Sequence, residues 1–238
     1  MNSLLKKVIK DYIPSDHSKQ VSIDYYLKSV LKIQESSQYQ KVLDLGCGQG
    51  NSLKDFTELN DKIDWYGIDI EKSPEVLSRA ETNERFITFD GINIPFEKGY
   101  FDLIYCRQVF EHVKNPRELL KEVNRVLKPG GYFIGSTSHL EPFHSYSYWN
   151  YTPFGFSVLL EEAKLKLIEL RPGIDSITLI LRRGIKSRKL FKIFWRIESP
   201  LNFLISVTGK LFRISQSTLN AVKLNLCGQF IFFVTKNE

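Results

Sequence analysis

Residues 42–50 read VLDLGCGQG and restrict the fold more than any other stretch of the chain. An apolar run ends on Asp44, and glycine recurs at 46, 48 and 50. A helical pattern follows at once over residues 51–59, with Leu53, Phe56 and Leu59 on one face. Glycine at these positions lets the backbone take φ > 0 and lets a ligand come closer than a Cβ would permit. The helix behind the loop offers free N–H groups to an anion. A dinucleotide fold would place its third glycine at position 51, which is Asn; here it comes one residue early, at Gly50.

From residue 40 onward, strand-like and helix-like patterns alternate, which argues for a parallel sheet covered by helices. Strands are expected at residues 41–44, 63–69, 86–89, 101–106 and 132–136, followed by 165–170 and a terminal 229–235. Ser73-Pro74-Glu75 opens a helix with a hydroxyl N-cap, proline at the first position and an acid in the first turn. Asn115-Pro116 caps another, with the stripe Leu119, Leu120, Val123 and Val126 and a stop at Pro129-Gly130-Gly131. Residues 153–164 are expected to be helical. The whole predicts a doubly wound α/β fold, with a mostly parallel seven-stranded sheet whose last strand is antiparallel. Residues 1–39 form a helical N-terminal segment and 40–238 the main domain. Within it, residues 173–226 are too long for a hairpin and read as a helical insertion.

The composition, 42% hydrophobic and 25% charged over 238 residues, excludes disordered and fibrous classes. At the N-terminus Leu4, Leu5, Val8, Ile9 and Tyr12 recur at helical spacing with lysines between them, an amphipathic helix rather than a secretory signal. No stretch approaches the roughly 20 apolar residues that cross a bilayer, so the expected compartment is the cytoplasm. Cys47, Cys106 and Cys227 lack disulfide or zinc spacing and read as small buried hydrophobes. Charge is uneven: residues 182–223 hold ten basic residues against the single acid Glu198, a net +9, which leaves −3 for the rest of a chain of net charge +6.

The pattern DxGxGxG from Asp44 to Gly50 resembles motif I of the class I S-adenosylmethionine-dependent methyltransferases. Asp69 stands 19 residues after Gly50, at the end of the second strand, where an acid accepts both hydroxyls of an adenosine ribose. FDLIYCRQVFEHV and LKPGGYFIGS are similar to the fourth- and fifth-strand motifs of the methyltransferase type 11 group, and the resemblance covers residues 41–138. It implies a Rossmann-like domain, S-adenosyl-L-methionine as cofactor, and a binding set of Asp44, Gly46, Cys47, Gly48, Gly50, Asp69, Ile70, Asp90, Gly91, Arg107, Gln108 and His112. In the resembled family the acid at the position of Asp90 meets the adenine amino group. The EH pair at Glu111-His112 lines the cofactor side there, against the alternative of a structural histidine at a helix start.

Methyl transfer from a sulfonium is an in-line displacement, so positioning does most of the work. A hydroxyl acceptor is helped by a base, and His139 and His144, in the loop HLEPFHSYSYWNYTPFG at the carboxyl edge of the sheet, are the candidates. No metal is expected of this pair, on a loop read as lacking carboxylate partners. An NPPY motif is absent after the fourth strand, where Cys106-Arg107-Gln108 stands. The expected acceptor is therefore a small molecule, a glycan or a lipid-linked intermediate, methylated at oxygen. The basic insertion KSRKLFKIFWRIESPLNFLISVTGKLFRIS mixes cations with large apolar residues. That mixture suits peripheral contact with the inner face of a membrane, while a nucleic-acid surface would also be basic but less apolar. A helical cap with a solvated basic face is the third reading. An RNA methyltransferase and a catalytically idle methyltransferase-like binding module remain the alternative function classes.

Overall fold

The structure, a computed structural model, describes residues 4–33, 40–80, 82–185 and 191–237. Residues 34–39 of the N-terminal segment, and Lys186, Arg188 and Lys189 of the basic insertion, lie outside the described residues. The described elements are α1 (Leu4–Val8), α2 (Asp24–Ile33), β1 (Gln40–Leu45), α3 (Asn51–Leu59), β2 (Ile63–Ile70), α4 (Pro74–Leu77), β3 (Phe86–Phe89), β4 (Phe101–Arg107), α5 (Pro116–Val126) and β5 (Leu127–Ser138). There follow α6 (Pro153–Glu162), β6 (Leu165–Pro172), α7 (Ser176–Gly184), α8 (Pro200–Leu211), α9 (Gln216–Leu226) and β7 (Gln229–Lys236).

Seven strands form one sheet in the order β3-β2-β1-β4-β5-β7-β6, and β7 alone runs antiparallel to its neighbours. This is the expected doubly wound, Rossmann-like class I methyltransferase fold. Side chains alternate between faces along each strand, so Val42 joins one core and Leu43 and Leu45 the other. Tyr26, Leu27 and Val30 of α2 and Phe56 of α3 cover the first face; Leu119, Leu120 and Val123 of α5 and Phe156 and Leu160 of α6 cover the second. Both faces being buried explains why the strands read as near-continuous apolar runs. Cys47, Cys106 and Cys227 are free thiols, all buried.

Three local expectations need correction. The N-terminal amphipathic helix is broken: α1 ends at Val8, a 3-10 turn spans Lys10–Tyr12, and Ile9 and Ile13 are buried while Leu4 and Val8 face solvent. Two short elements that turn between them bury the isoleucines, which one straight helix does not. Asn115 makes no side-chain cap; Pro116 at the first helical position suffices. The helix α5 stops at Val126, before Pro129-Gly130-Gly131, because Leu127 already pairs with Phe101; the glycines instead carry a register shift into β5, with Gly130 at φ 72°. By contrast Ser73 does cap α4, accepting from Val76 N at 3.0 Å, although α4 is a single turn.

The N-terminal segment is latched to the C-terminal helices by buried polar groups. Gln20 Oε1 accepts from Ser199 Oγ at 2.7 Å and Asn202 Nδ2 at 2.8 Å. Lys223, fully buried, donates to Ser18 O at 2.6 Å and pairs with Glu198. Arg171 grips Asp16 with two contacts of 2.9 Å.

Candidate active site

The strand order reverses between β1 and β4, and ligands of open α/β sheets bind outside the carboxyl ends at such a point. On the β1 side Gly46, Gly48 and Gly50 take φ values of 74°, 51° and 80°. The loop folds back on β2: Gly46 N and Cys47 N both donate to Ile68 O, at 2.8 and 3.1 Å. A Cβ on Gly46 would stand 2.4 Å from Val109 Cγ2, so the loop also fixes the chain that leaves β4. Beneath it, the buried Asp44 carboxylate accepts from Ser52 Oγ, which in turn accepts from Trp65 Nε1 at 3.1 Å. Burial pushes the Asp44 carboxyl up to about 7.

Asp69 joins the loop to β2. One oxygen accepts from Gly48 N and the other from Ile70 N, both at 2.7 Å. Partial burial raises its pKa, while these two N–H groups pull it back. Ile70 is exposed beside it. Arg79, which the sequence did not single out, donates through Nε to Gly48 O at 2.9 Å and lies over the Phe86 ring at 4.3 Å. Asp90 closes its own turn, accepting from Asn93 Nδ2 at 2.5 Å, Ile92 N at 2.8 Å and Asn93 N at 2.7 Å, and these donors, the Asn93 side chain first, hold its exposed carboxyl below the usual range. Gly91 follows at φ 87°.

Across the switch point, Arg107 ends β4 and pairs with Asp24 of α2 at 3.1 Å. Gln108 takes φ 56°, and Ser145 and Tyr146 of the facing loop have φ 39° and 59°. Non-glycine residues held in this region gather at functional sites. Glu111 is fully buried; Thr137 Oγ1 donates to it at 3.0 Å and Ser138 Oγ lies 3.2 Å from its other oxygen. Its backbone carbonyl accepts from Tyr148 N at 2.7 Å, which ties the loop after β5 to the end of β4. Glu141, also buried, is met by Ser138 Oγ at 3.0 Å, Gln229 Nε2 at 2.8 Å and Arg183 of α7 at 3.1 Å.

The two loop histidines stand apart in role. His144 lies 3.9 Å from Glu141 Oε1 and 5.3 Å, ring to ring, from His112. His139 instead turns Nδ1 to Tyr151 O at 2.8 Å, and burial lowers its pKa. The sequence paired His144 with His139, on a loop read as lacking carboxylate partners. The fold pairs it with His112 and surrounds it with Glu111 and Glu141; Glu111, His112 and His144 each bring one ligand-type atom within 4.8 Å of the others. His112 Nδ1 is buried with no partner, and burial lowers this pKa too. The sequence names Glu111 only as the neighbour of His112 and does not single out Glu141, because an acid close to a histidine in a loop reads as solvated. Only the closure of β4, β5 and β7 around them removes the water.

Burial pushes the Glu111 carboxyl from 4.5 up to about 7. Between those values the folded chain keeps a proton that the unfolded chain has released, so stability falls as pH rises through that window. Asp44 acts in the same direction. Glu111→Gln is neutral throughout, so its Tm should fall less than that of the wild type between about pH 5 and about pH 8. Parallel declines in a thermal-melt series would show that Glu111 ionises freely.

The family model described as a methyltransferase domain matches residues 43–135, from β1 to the middle of β5. A ubiquinone biosynthesis O-methyltransferase of Pseudomonas aeruginosa is 30% identical over 109 residues, 43% of this chain and 46% of that protein. The cycloartenol-C-24-methyltransferase of Arabidopsis thaliana is 27% identical over 227 residues, 90% of this chain and 61% of that protein. The chain thus spans about half the length of the first of these relatives. Among solved structures, a putative sarcosine dimethylglycine methyltransferase from Galdieria sulphuraria superposes with a TM-score of 0.58 over 93% of both chains at 17% identity, which speaks for the fold. Residues 43–135 are thus matched as a methyltransferase domain, in agreement with the resemblance that the motifs from Asp44 to Ser138 carry.

Proposed function

We propose that the chain transfers the methyl group of S-adenosylmethionine to an oxygen atom of a small-molecule, glycan or lipid-linked acceptor. The observation that carries this reading is the carboxylate of Asp69, held on Gly48 N and Ile70 N at the end of β2, together with the His144–Glu141 pair in the loop after β5, at the same carboxyl edge of the sheet. Three left-handed glycines and a half-buried acid at the end of β2 are the donor set that an adenosyl amino acid requires. When bound, that group supplies a methyl already activated on a sulfonium.

The residues of this chain do the rest. Asp69 accepts the ribose hydroxyls. Gly46, Cys47, Gly48 and Gly50 present the α3 N-terminus to the carboxylate of the methionine part, above the structural Asp44. Ile70 gives an apolar wall for the adenine, with Asp90 and Gly91 at its edge. Arg107, Gln108 and His112 close the site from β4. His144 takes the acceptor proton and Glu141 stabilises the resulting imidazolium, with His139 as the second candidate base. A base so placed favours oxygen over carbon. The name of the Pseudomonas aeruginosa relative puts its reaction at oxygen, while that of the Arabidopsis thaliana relative puts it at a carbon, C-24. The basic insertion is read as meeting an anionic partner beside this site, nucleic acid being the less favoured one. No described helix is long and apolar enough to cross a membrane.

Asp69→Ala removes two ribose contacts to a charged acceptor and frees Gly48 N. Calorimetric titration should show S-adenosylmethionine binding at least tenfold weaker, a loss of about 1.5 kcal/mol or more. Absence of binding to the wild type, or preferential binding of NAD, would sink the reading.

A further inference from the structure

Helices α7 and α8 are mounted the wrong way round for an ordinary surface helix. On α7 and the residue after it, Ile177, Ile180, Leu181 and Ile185 fall on one face by their spacing, and all four are exposed; Ser176, Thr178 and Leu179 point inward. On α8 the exposed face is Phe203, Leu204, Val207 and Leu211, the last 74% exposed, continued by Phe212 at 72%. The inward positions of α8 are Asn202 and Gly209, and Asn202 is fixed there by Gln20 and by Gly173 O. The polar latch therefore forces the apolar side outward. Ile193, Trp195 and Ile197, in the chain that enters α8, are exposed as well.

The charges around this surface are of one sign. Lys192, Arg196, Lys210 and Arg213 are exposed. The only acid of the segment, Glu198, is folded inward onto Lys223 and Ser206. We propose that this face of α7 and α8 docks on an anionic lipid bilayer. The aliphatic side chains enter the headgroup boundary, and the lysines and arginines meet the lipid phosphates. A second copy of the chain would set cations against cations. RNA would leave the isoleucines and leucines unpaired, since single strands are held by aromatic stacking and cationic grooves. Arg183 at the end of α7 bonds Glu141, so a docked face lies beside the acceptor loop. The surface itself stands independently of the methyl transfer proposed for the sheet edge.

The test is co-sedimentation of the full chain with vesicles of phosphatidylcholine alone and of phosphatidylcholine mixed with phosphatidylglycerol. Two variants accompany the wild type: Phe203→Ser with Leu204→Ser and Leu211→Ser, and Lys192→Gln with Arg196→Gln, Lys210→Gln and Arg213→Gln. Every changed residue is exposed, so both variants should keep the wild-type melting curve. The wild type should bind anionic vesicles at least tenfold more tightly than neutral ones and lose that preference in high salt. Each variant should lose about tenfold or more, with S-adenosylmethionine binding unchanged by calorimetry. Equal recovery of the wild type with and without vesicles overturns the proposal, as does tighter retention on single-stranded RNA or a dimer that the serine variant abolishes. Because cofactor binding is read separately, failure of docking does not touch the proposed methyl transfer.

Discussion

Replacing His144 with Ala should lower turnover by about 10²-fold and leave S-adenosylmethionine affinity within about twofold of the wild type. Removing a base leaves in-line positioning intact, which is why the loss stops near that figure. The His144 Nδ1 sits 3.9 Å from Glu141 Oε1 and 3.2 Å from Pro142 O, contacts that fix the orientation of the ring in the loop. His139 shares the loop, but its Nδ1 is committed to Tyr151 O and its ring packs near Phe230. His139→Ala should therefore affect the melting temperature more than the rate. Single-turnover kinetics with a hydroxyl acceptor separate the two, and full activity in both single variants and the double variant removes histidine from the mechanism.

Phe156→Ala should cost about 3–5 kcal/mol of stability. Phe156 is fully buried in the first turn of α6, and its ring centroid lies 4.9 Å from Phe232, 5.4 Å from Tyr151 and 5.8 Å from Phe110. The cavity would open where α6, β7 and the end of the acceptor loop meet, so little can collapse into it. Urea unfolding should show a lower midpoint at nearly unchanged slope. A loss below about 1 kcal/mol would mean that the cluster repacks. Tyr151, whose carbonyl holds His139 and whose hydroxyl reaches Phe110 O, links this packing to the loop after β5.

The sheet could be read from the chain because its signals are local. VLDLGCGQG, the capped start of α4 and the stripe Leu119, Leu120, Val123 and Val126 each depend on neighbours a few residues away. In the candidate site the positions of the glycines and Asp69 were legible in the same way, since they follow from strand ends. The settings of Arg79, Glu111, Glu141 and Arg183 were not, since each has a partner at least 26 residues away. Periodicity also fixes a face without fixing its direction. Ile177, Ile180, Leu181 and Ile185 have the spacing of a core stripe, and only the burial of Ser176, Thr178 and Leu179 on the other side of α7 reveals that the stripe points out.

The latch between the chain's beginning and its end sets an order of events during synthesis. Gln20 waits for Ser199, 179 residues later, and Ser18 for Lys223, 205 residues later. At about 5–20 residues per second on the ribosome, the amino-terminal segment spends on the order of ten seconds or more without the partners that hold it. The strand residues Val42, Leu103, Tyr105 and Ile134, which share a core with α2, are all in place by residue 134, so the polar latch closes after them. Closure of the latch is thereby made conditional on the late helices being translated: a ribosome that stops before Ser199 releases a chain whose Gln20 lacks its side-chain partners, with Arg107 and Arg171 left to hold Asp24 and Asp16.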